Sequence, residues 1–93
     1  MDENEFRAGL AKDGFGEVAL KTTPANVHNQ AHAHEFEVRG LVVAGELTLS
    51  WQGKQSTYRA GEVFTMAAGC EHTEQFGPQG ATTLAGRKHH QHA

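Results

Sequence analysis

Short runs in which apolar and polar residues alternate fill the middle of the chain, and glycine-containing turns separate them. Positions 47–51 alternate strictly, with Leu47, Leu49 and Trp51 on one parity, which is typical of a β-strand with one buried face. Positions 36–44 are apolar on both parities near their end, which predicts a strand buried on both faces. The other predicted strands cover 17–22, 27–34, 55–58, 63–66 and 81–85. The pattern therefore predicts an all-β fold.

The N-terminal segment has a helical pattern instead. Phe6 and Leu10 are four apart in a polar, acidic stretch and would share one face of a short helix, with Asp2 near its positive end. Glycines at positions 14 and 16 would end that helix. We therefore expect three parts: an N-terminal helix or arm (1–16), a β-barrel (17–86) and a polar, histidine-containing tail (87–93).

The size of the chain bears on its assembly. A length of 93 residues favours a single domain. A domain of this size buries only about two-thirds of the surface that its unfolded chain exposes, which limits its core. Because association would bury additional apolar surface, we expect a homodimer.

Charge and cysteine content narrow the range of partners. The formal net charge of −3 and the scattered basic residues argue against a nucleic-acid or acidic-membrane partner. The single cysteine, Cys70, allows no intrachain disulfide, in keeping with a reducing compartment. No run is apolar enough to form a signal-peptide core or a membrane span. We therefore expect a cytoplasmic protein whose partner is a small-molecule ligand or substrate.

Polar side chains occupy one parity of the predicted strand 27–34, namely His28, Gln30, His32 and His34. Side chains of one parity share a face, so a regular strand would turn all four the same way. Polar side chains that converge on a protein interior need partners, because unpaired burial is costly. This face is therefore the first candidate for a binding site.

Two spaced patterns connect these histidines to a third one. Residues 26–45 contain a turn residue, the sequence His32-Ala33-His34 and a closing glycine, and residues 61–76 contain two glycines followed by His72. The positions that define the two patterns are His32, His34, Gly45, Gly61, Gly69 and His72.

These spacings resemble the two motifs of the cupin superfamily. Its first motif is Gly, five residues, His-x-His, three or four residues, Glu, six residues and Gly. Its second is Gly, five residues, Pro-x-Gly, two residues, His, three residues and Asn. Departures from these motifs occur at Asn26 (for Gly), Val38 (for Glu), Ala67 (for Pro) and Phe76 (for Asn).

The resemblance implies a fold and a metal site. The fold would be the double-stranded β-helix, or jelly-roll barrel, of a small single-domain bacterial cupin of the RmlC-like type, preceded here by the short N-terminal helix. The metal ligands would be His32, His34 and His72. The carboxylate ligand that the family carries at the position of Val38 is missing, because valine has no donor atom.

Three neutral imidazoles suit a divalent transition metal such as Zn, Fe, Mn, Ni or Cu. The coordination position left open by Val38 has several candidate occupants. Water or substrate could complete the shell, as in an open catalytic site. Another side chain could step in, the candidates being Glu37 through a local bulge, Gln30 or His28 by strand parity, and Glu74, which shares parity with His72. Alternatively, the site binds metal weakly and serves an organic ligand.

The expected function is a small cupin-like protein that binds a divalent metal in its barrel, with its specific activity undefined. One alternative is a non-catalytic module that binds or senses a small molecule. The other is a metal-dependent oxygenase or isomerase, which would need a group that transfers protons near the metal. The chain offers Glu74, Glu37, Tyr58 and His28 for that role, so the sequence leaves open whether the protein is an enzyme.

Overall fold

The computed structural model describes residues 1–89, and its first element is the short helix that the sequence predicts. Helix α1 spans Glu3–Lys12, and the side chain of Asp2 caps it by accepting a hydrogen bond from the backbone N–H of Glu5 at 2.8 Å. Such a cap satisfies one of the backbone donors that lack a partner within the helix. Phe6 and Leu10 are buried, so the face predicted to pack does so. No helix in the described range is long and apolar enough to cross a membrane.

The remaining elements within residues 1–89 are antiparallel strands. They are β1 (Gly16–Thr23), β2 (His28–His32), β3 (Phe36–Trp51), β4 (Lys54–Arg59), β5 (Val63–Met66) and β6 (His72–His89). The two longest, β3 and β6, pair with each other from Phe36 opposite His89 to Ser50 opposite Thr73. Their pairing is the longest strand ladder of the fold as described.

Each of the two long strands belongs to two layers. The first half of β3 and the second half of β6 form one layer in the order β1-β6-β3-β5. The other halves form a second layer in the order β2-β6-β3-β4. The two layers fold over each other as a jelly roll, which confirms the predicted all-β class.

The corner between the layers lies at Gly45 and Gly80. The pairing of β3 with β6 shifts register on either side of Gly45, and both glycines have positive φ angles, 80° and 70°. A Cβ atom on Gly45 would overlap the carbonyl oxygen of Gly80. Positions 36–44 and 47–51 were predicted as separate strands, and the last strand was predicted to begin at position 81; both predictions are wrong, because β3 runs unbroken through Gly45 and β6 through Gly80. These glycines mark bulges, which bend a strand without ending its hydrogen-bonded ladder.

The last strand is longer than the predicted 81–85. Strand β6 continues through Arg87, Lys88 and His89, which pair with β3 on one side, while Arg87 also pairs with Gly16 of β1. The first part of the predicted polar tail is therefore sheet, because pairing of all three residues with β3, and of Arg87 also with β1, outweighs their polar composition. The tail histidines His90 and His92 lie outside the described residues.

The structure has an inner and an outer apolar cluster. The inner one fills the space between the layers, and the outer one packs helix α1 against the sheet. Leu41 belongs to the outer cluster and Val42 to the inner one, so β3 is buried on both faces here, as predicted. The inner cluster comprises Val42, Leu47, Leu49, Phe64, Met66, Phe76 and Ala81, and the outer one Phe6, Leu10, Phe15, Leu41 and Leu84.

Candidate metal centre

The side chains of His32, His34 and His72 converge on one point. One ring nitrogen from each lies within 4.8 Å of those of the other two, and the ring centroids are 4.4 to 5.4 Å apart. His72 is buried, with 4% of its surface exposed, while the other two are half-buried. A group of three histidines arranged in this way could hold one metal ion.

Strand pairing brings two of these histidines together. Strand β2 pairs with the start of β6, and His32 and His72 are direct Cα partners. Residues opposite each other on antiparallel strands have neighbouring side chains. His34 lies just beyond β2, and its carbonyl accepts a hydrogen bond from the N–H of Gly69 at 2.8 Å. This bond ties His34 to the loop that leads to His72.

Two of the three imidazoles are oriented by backbone carbonyls. Nδ1 of His32 lies 2.8 Å from the carbonyl oxygen of Gln30, and Nδ1 of His72 lies 3.0 Å from that of Cys70. Because a carbonyl only accepts, each Nδ1 carries the proton and donates it. The lone pair is then on Nε2 of both rings, which leaves that nitrogen able to bind a metal.

The third imidazole, that of His34, is held by an aromatic contact. Its ring stacks on Phe36 with centroids 4.7 Å apart and an interplanar angle of 14°. Burial lowers the pKa of His34 from its ordinary value, and the neighbouring His32 and His72 lower it further. A lowered pKa keeps this ring neutral over a wider pH range, and only neutral imidazole binds metal.

Two of the three histidines, His32 and His34, line a cavity of about 610 Å³ between the layers. Its floor is apolar and its rim carries charged and amide side chains, a combination typical of small-molecule sites. The floor is formed by Phe36, Val38, Leu47, Phe64, Phe76 and Ala85, and the rim includes Glu17, Lys21, His28, Asn29, Gln30, Glu74 and Arg87.

Glu74 flanks the histidine cluster. Its Oε1 lies 3.8 Å from Nε2 of His32 and accepts a hydrogen bond from Nδ2 of Asn29 at 2.7 Å. Glu74 follows His72 by two positions on β6, so the two side chains lie on the same face of the strand, and Glu74 lines the cavity. Of the three clustered histidines, the carboxylate of Glu74 is therefore placed next to the ring of His32.

His28 and Gln30 also line the cavity, but β2 is not the regular strand assumed from the sequence. Its pairing with β6 shifts register between Asn29 and His32, so Asn29 faces the cavity together with its neighbours. His28 is exposed, and its Nδ1 lies 2.8 Å from Oε1 of Gln75. Gln30 contributes its carbonyl to His32. In the structure His28 is therefore hydrogen-bonded to Gln75, and Gln30 orients the ring of His32 through its backbone carbonyl.

Solved structures show which fold this is. The chain is similar to a protein of unknown function from Rhizobium leguminosarum (TM-score 0.74, 20% identity, 78% of this chain and 69% of that one). It is also similar to an RmlC-like cupin from Shewanella frigidimarina (0.67, 20%, 75% and 62%) and to a cupin superfamily protein from Desulfitobacterium hafniense (0.70, 12%, 78% and 66%). The chain has the cupin fold. The resemblance inferred from the two motifs is confirmed at that level.

Other comparisons add no activity. No protein-family model matches the sequence, and no curated protein matches it. The chain spans between about half and two-thirds of the length of several of these cupins, for example 62% of the Shewanella protein and 55% of a cupin domain from Schizosaccharomyces pombe.

The positions that depart from the cupin motifs have distinct structural roles. Asn26 has a φ of 60°, so it takes the left-handed conformation for which the motif uses glycine. Phe76 is part of the inner core. Val38 lines the cavity, at the position where the motif supplies a carboxylate. Glu37 lies on the opposite face of β3, since side chains alternate along a strand, and this argues against Glu37 as a replacement ligand.

Sequence reasoning missed Arg87 and Lys21 as cavity residues. Arg87 was assigned to the polar tail, and Lys21 carried no motif. The signal that could have found Arg87 is its parity with Thr83 and Ala85, which also line the cavity, once the last strand is allowed to continue past position 85.

The residues present fit a divalent transition metal. The cluster supplies three imidazole nitrogens, two with a fixed tautomer and one whose pKa is lowered. Nitrogen donors of this kind are bound by Zn, Fe, Mn, Ni and Cu.

Proposed function

We propose that this protein binds one divalent transition-metal ion through His32, His34 and His72 and uses it with a small organic ligand in the adjoining cavity. The observation that carries the proposal is the cluster of three imidazole nitrogens within 4.8 Å of one another. The cavity of about 610 Å³ beside it has a volume within the usual range for small-molecule sites. Zn, Fe, Mn, Ni and Cu all accept such ligands, so the donor set supports a class of metals rather than one of them.

A bound ion of this kind supplies Lewis-acid chemistry to an oxygen of a ligand or of water. The protein's own residues prepare the site. Backbone carbonyls orient His32 and His72, and burial keeps His34 neutral by lowering its pKa. The apolar floor excludes water from the ligand, which strengthens polar contacts made there.

Two forms of this function are compatible with the site. In the first, the protein binds or senses a ligand without converting it. In the second, it is an oxygenase or isomerase, and the observation in favour is Glu74, a carboxylate 3.8 Å from His32 that could exchange protons with a ligand. Recovery of an unchanged ligand after prolonged incubation with the metal-loaded protein would support the first form.

Metal analysis of purified variants tests the proposal. His90 and His92 would be replaced by alanine in every sample, so that the tail cannot bind metal. In this background we expect about one metal ion per chain and its loss from His32→Ala/His34→Ala. His28→Ala is the matched control, because His28 lines the cavity outside the cluster. It should keep the metal.

Equal metal content in the background protein and in the double variant would contradict the proposal. Circular dichroism of each sample checks that the variants fold. Reloading the metal-free protein with each of the five metals in turn would then rank their affinities.

We also propose that the protein is a cytoplasmic homodimer. Support for the dimer comes from β1, an edge strand of its layer on which Val18 and Leu20 are 39% and 57% exposed. An exposed apolar edge strand invites pairing with a second copy. Support for the cytoplasm comes from Cys70, the chain's single cysteine, which is a free thiol of the kind that persists in reducing compartments.

A further inference from the structure

The acidic and the basic side chains on the cavity rim differ in whether they have polar partners. Glu17 is hydrogen-bonded to Nε2 of His89, and Glu74 accepts a hydrogen bond from Asn29. Within residues 1–89, no carboxylate lies within ion-pair distance of Lys21 or Arg87. The charged rim residues that lack a hydrogen-bond or ion-pair partner within these residues are therefore the two basic ones.

Arg87 is held beside the histidine cluster. Its guanidinium carbon lies 4.5 Å from the centre of the Phe36 ring, and the same ring stacks on His34. The contact with Phe36 is a cation–π interaction, which orients the side chain. In the described part of the chain, the guanidinium N–H groups donate no hydrogen bond to a side chain, so they are available to a ligand.

The missing carboxylate of the cupin motif explains why Arg87 has no ion-pair partner among residues 1–89. Val38 and Arg87 are direct Cα partners on β3 and β6, and both line the cavity. Side chains opposite each other on antiparallel strands are in contact range. A glutamate at position 38 would lie next to the guanidinium and neutralise it, whereas valine leaves the positive charge facing the cavity.

We propose that the cavity binds a small organic carboxylate with an apolar body, and that Arg87 anchors its carboxylate group. The planar guanidinium matches a carboxylate through two parallel hydrogen bonds, and the apolar floor would hold the rest of the molecule. This inference names the ligand class of the proposed metal site and rests on that proposal for the role of the metal, whereas the anchoring by Arg87 is independent of it.

A monoanion fits the rim better than a highly charged ligand. Two basic residues, Lys21 and Arg87, share the rim with two acidic ones, Glu17 and Glu74. A phosphate ester or a dicarboxylate would bring more negative charge against those carboxylates, and like charges in a partly enclosed site repel each other. The balance therefore favours a single carboxylate group.

Calorimetric titration with defined probes tests the assignment. The probes are acetate, lactate, pyruvate and benzoate, with lactamide as the uncharged counterpart of lactate. We expect at least one carboxylate to bind the wild-type protein and lactamide to bind at least tenfold more weakly than lactate. Arg87→Gln should lower the affinity for those carboxylates that bind the wild type at least tenfold, while Arg87→Lys should lower it less. Arg7→Gln, on the exposed side of helix α1, should change nothing.

Titrations of metal-free and metal-loaded protein separate this inference from the metal proposal. If the wild type holds no metal but the metal-free protein still loses probe binding in Arg87→Gln, the anchor stands and the metal proposal fails. If metal content is normal but Arg87→Gln binds carboxylates as the wild type does, the anchor is wrong. Failure of all four carboxylates to bind the wild type, or equal binding of lactamide and lactate, would also overturn it.

Discussion

Val38→Glu returns a carboxylate to the position where the cupin motif has one, and its effects should differ between the metal-free and the metal-loaded protein. Val38 is half-buried and packs against the inner core, so losing its burial costs about 1 kcal/mol. An ion pair with the exposed Arg87 would return at most about 1 kcal/mol. The metal-free variant should therefore be less stable than the wild type by about 0–1 kcal/mol.

The metal should stabilise this variant more than the wild type. If the new carboxylate becomes a ligand and tightens metal binding tenfold, the free energy of unfolding at saturating metal gains about 1.4 kcal/mol beyond the wild-type gain. Val38→Gln is the matched control, because glutamine has nearly the same shape as glutamate but carries no charge. The metal should stabilise this variant no more than it stabilises the wild type. The same glutamate should weaken the binding of the carboxylate probes, because it competes with them for Arg87.

Urea denaturation without and with metal measures, for each protein, the free energy of unfolding of the metal-free form and the increase that the metal produces. An equal metal-induced gain in Val38→Glu, Val38→Gln and the wild type would refute the reasoning that position 38 adjoins the metal. Unchanged binding of the carboxylate probes to Val38→Glu would refute its link to Arg87.

Two further predictions concern stability and assembly. Leu10→Ala should lower the free energy of unfolding by about 2–5 kcal/mol, because Leu10 is fully buried in the outer cluster with Leu41 and Leu84; urea denaturation checks this, and a loss below 1 kcal/mol would show that the helix packs loosely. Leu20→Glu should convert the proposed dimer to a monomer without changing the metal content, as measured by light scattering. A wild-type protein that is monomeric at high concentration would contradict the dimer.

The sequence was sufficient to predict the histidine cluster and the fold class. His32 and His34 belong to one spaced motif and His72 to another, and strand pairing brings them together because His32 lies opposite His72. The all-β class followed from short alternating runs, the jelly roll was implied by the resemblance to the cupin motifs, and helix α1 followed from the spacing of Phe6 and Leu10. These features depend on local periodicity and on motif spacing, both of which are readable in one dimension.

The features that escaped prediction depend on tertiary context. Gly45 and Gly80 were expected to end strands, but each lies where a long strand bends between layers, and glycine serves turns and bulges equally well. Arg87 looked like part of a tail because its sequence neighbours are polar. Only the register of β6 between β1 and β3 turns its side chain towards the cavity.

The departure at Val38 connects these observations. Seen in the sequence alone, it removes a metal ligand and weakens the case for a metal site. In the structure its cross-strand partner is Arg87, so the same departure also leaves beside the cluster a positive charge that has no carboxylate partner in the described part of the chain. A carboxylate at position 38 would satisfy both the metal and the arginine, and a bound organic carboxylate could do the same. Because valine provides an apolar wall where the protein's own carboxylate would have stood, the site is better suited to take that group from a ligand.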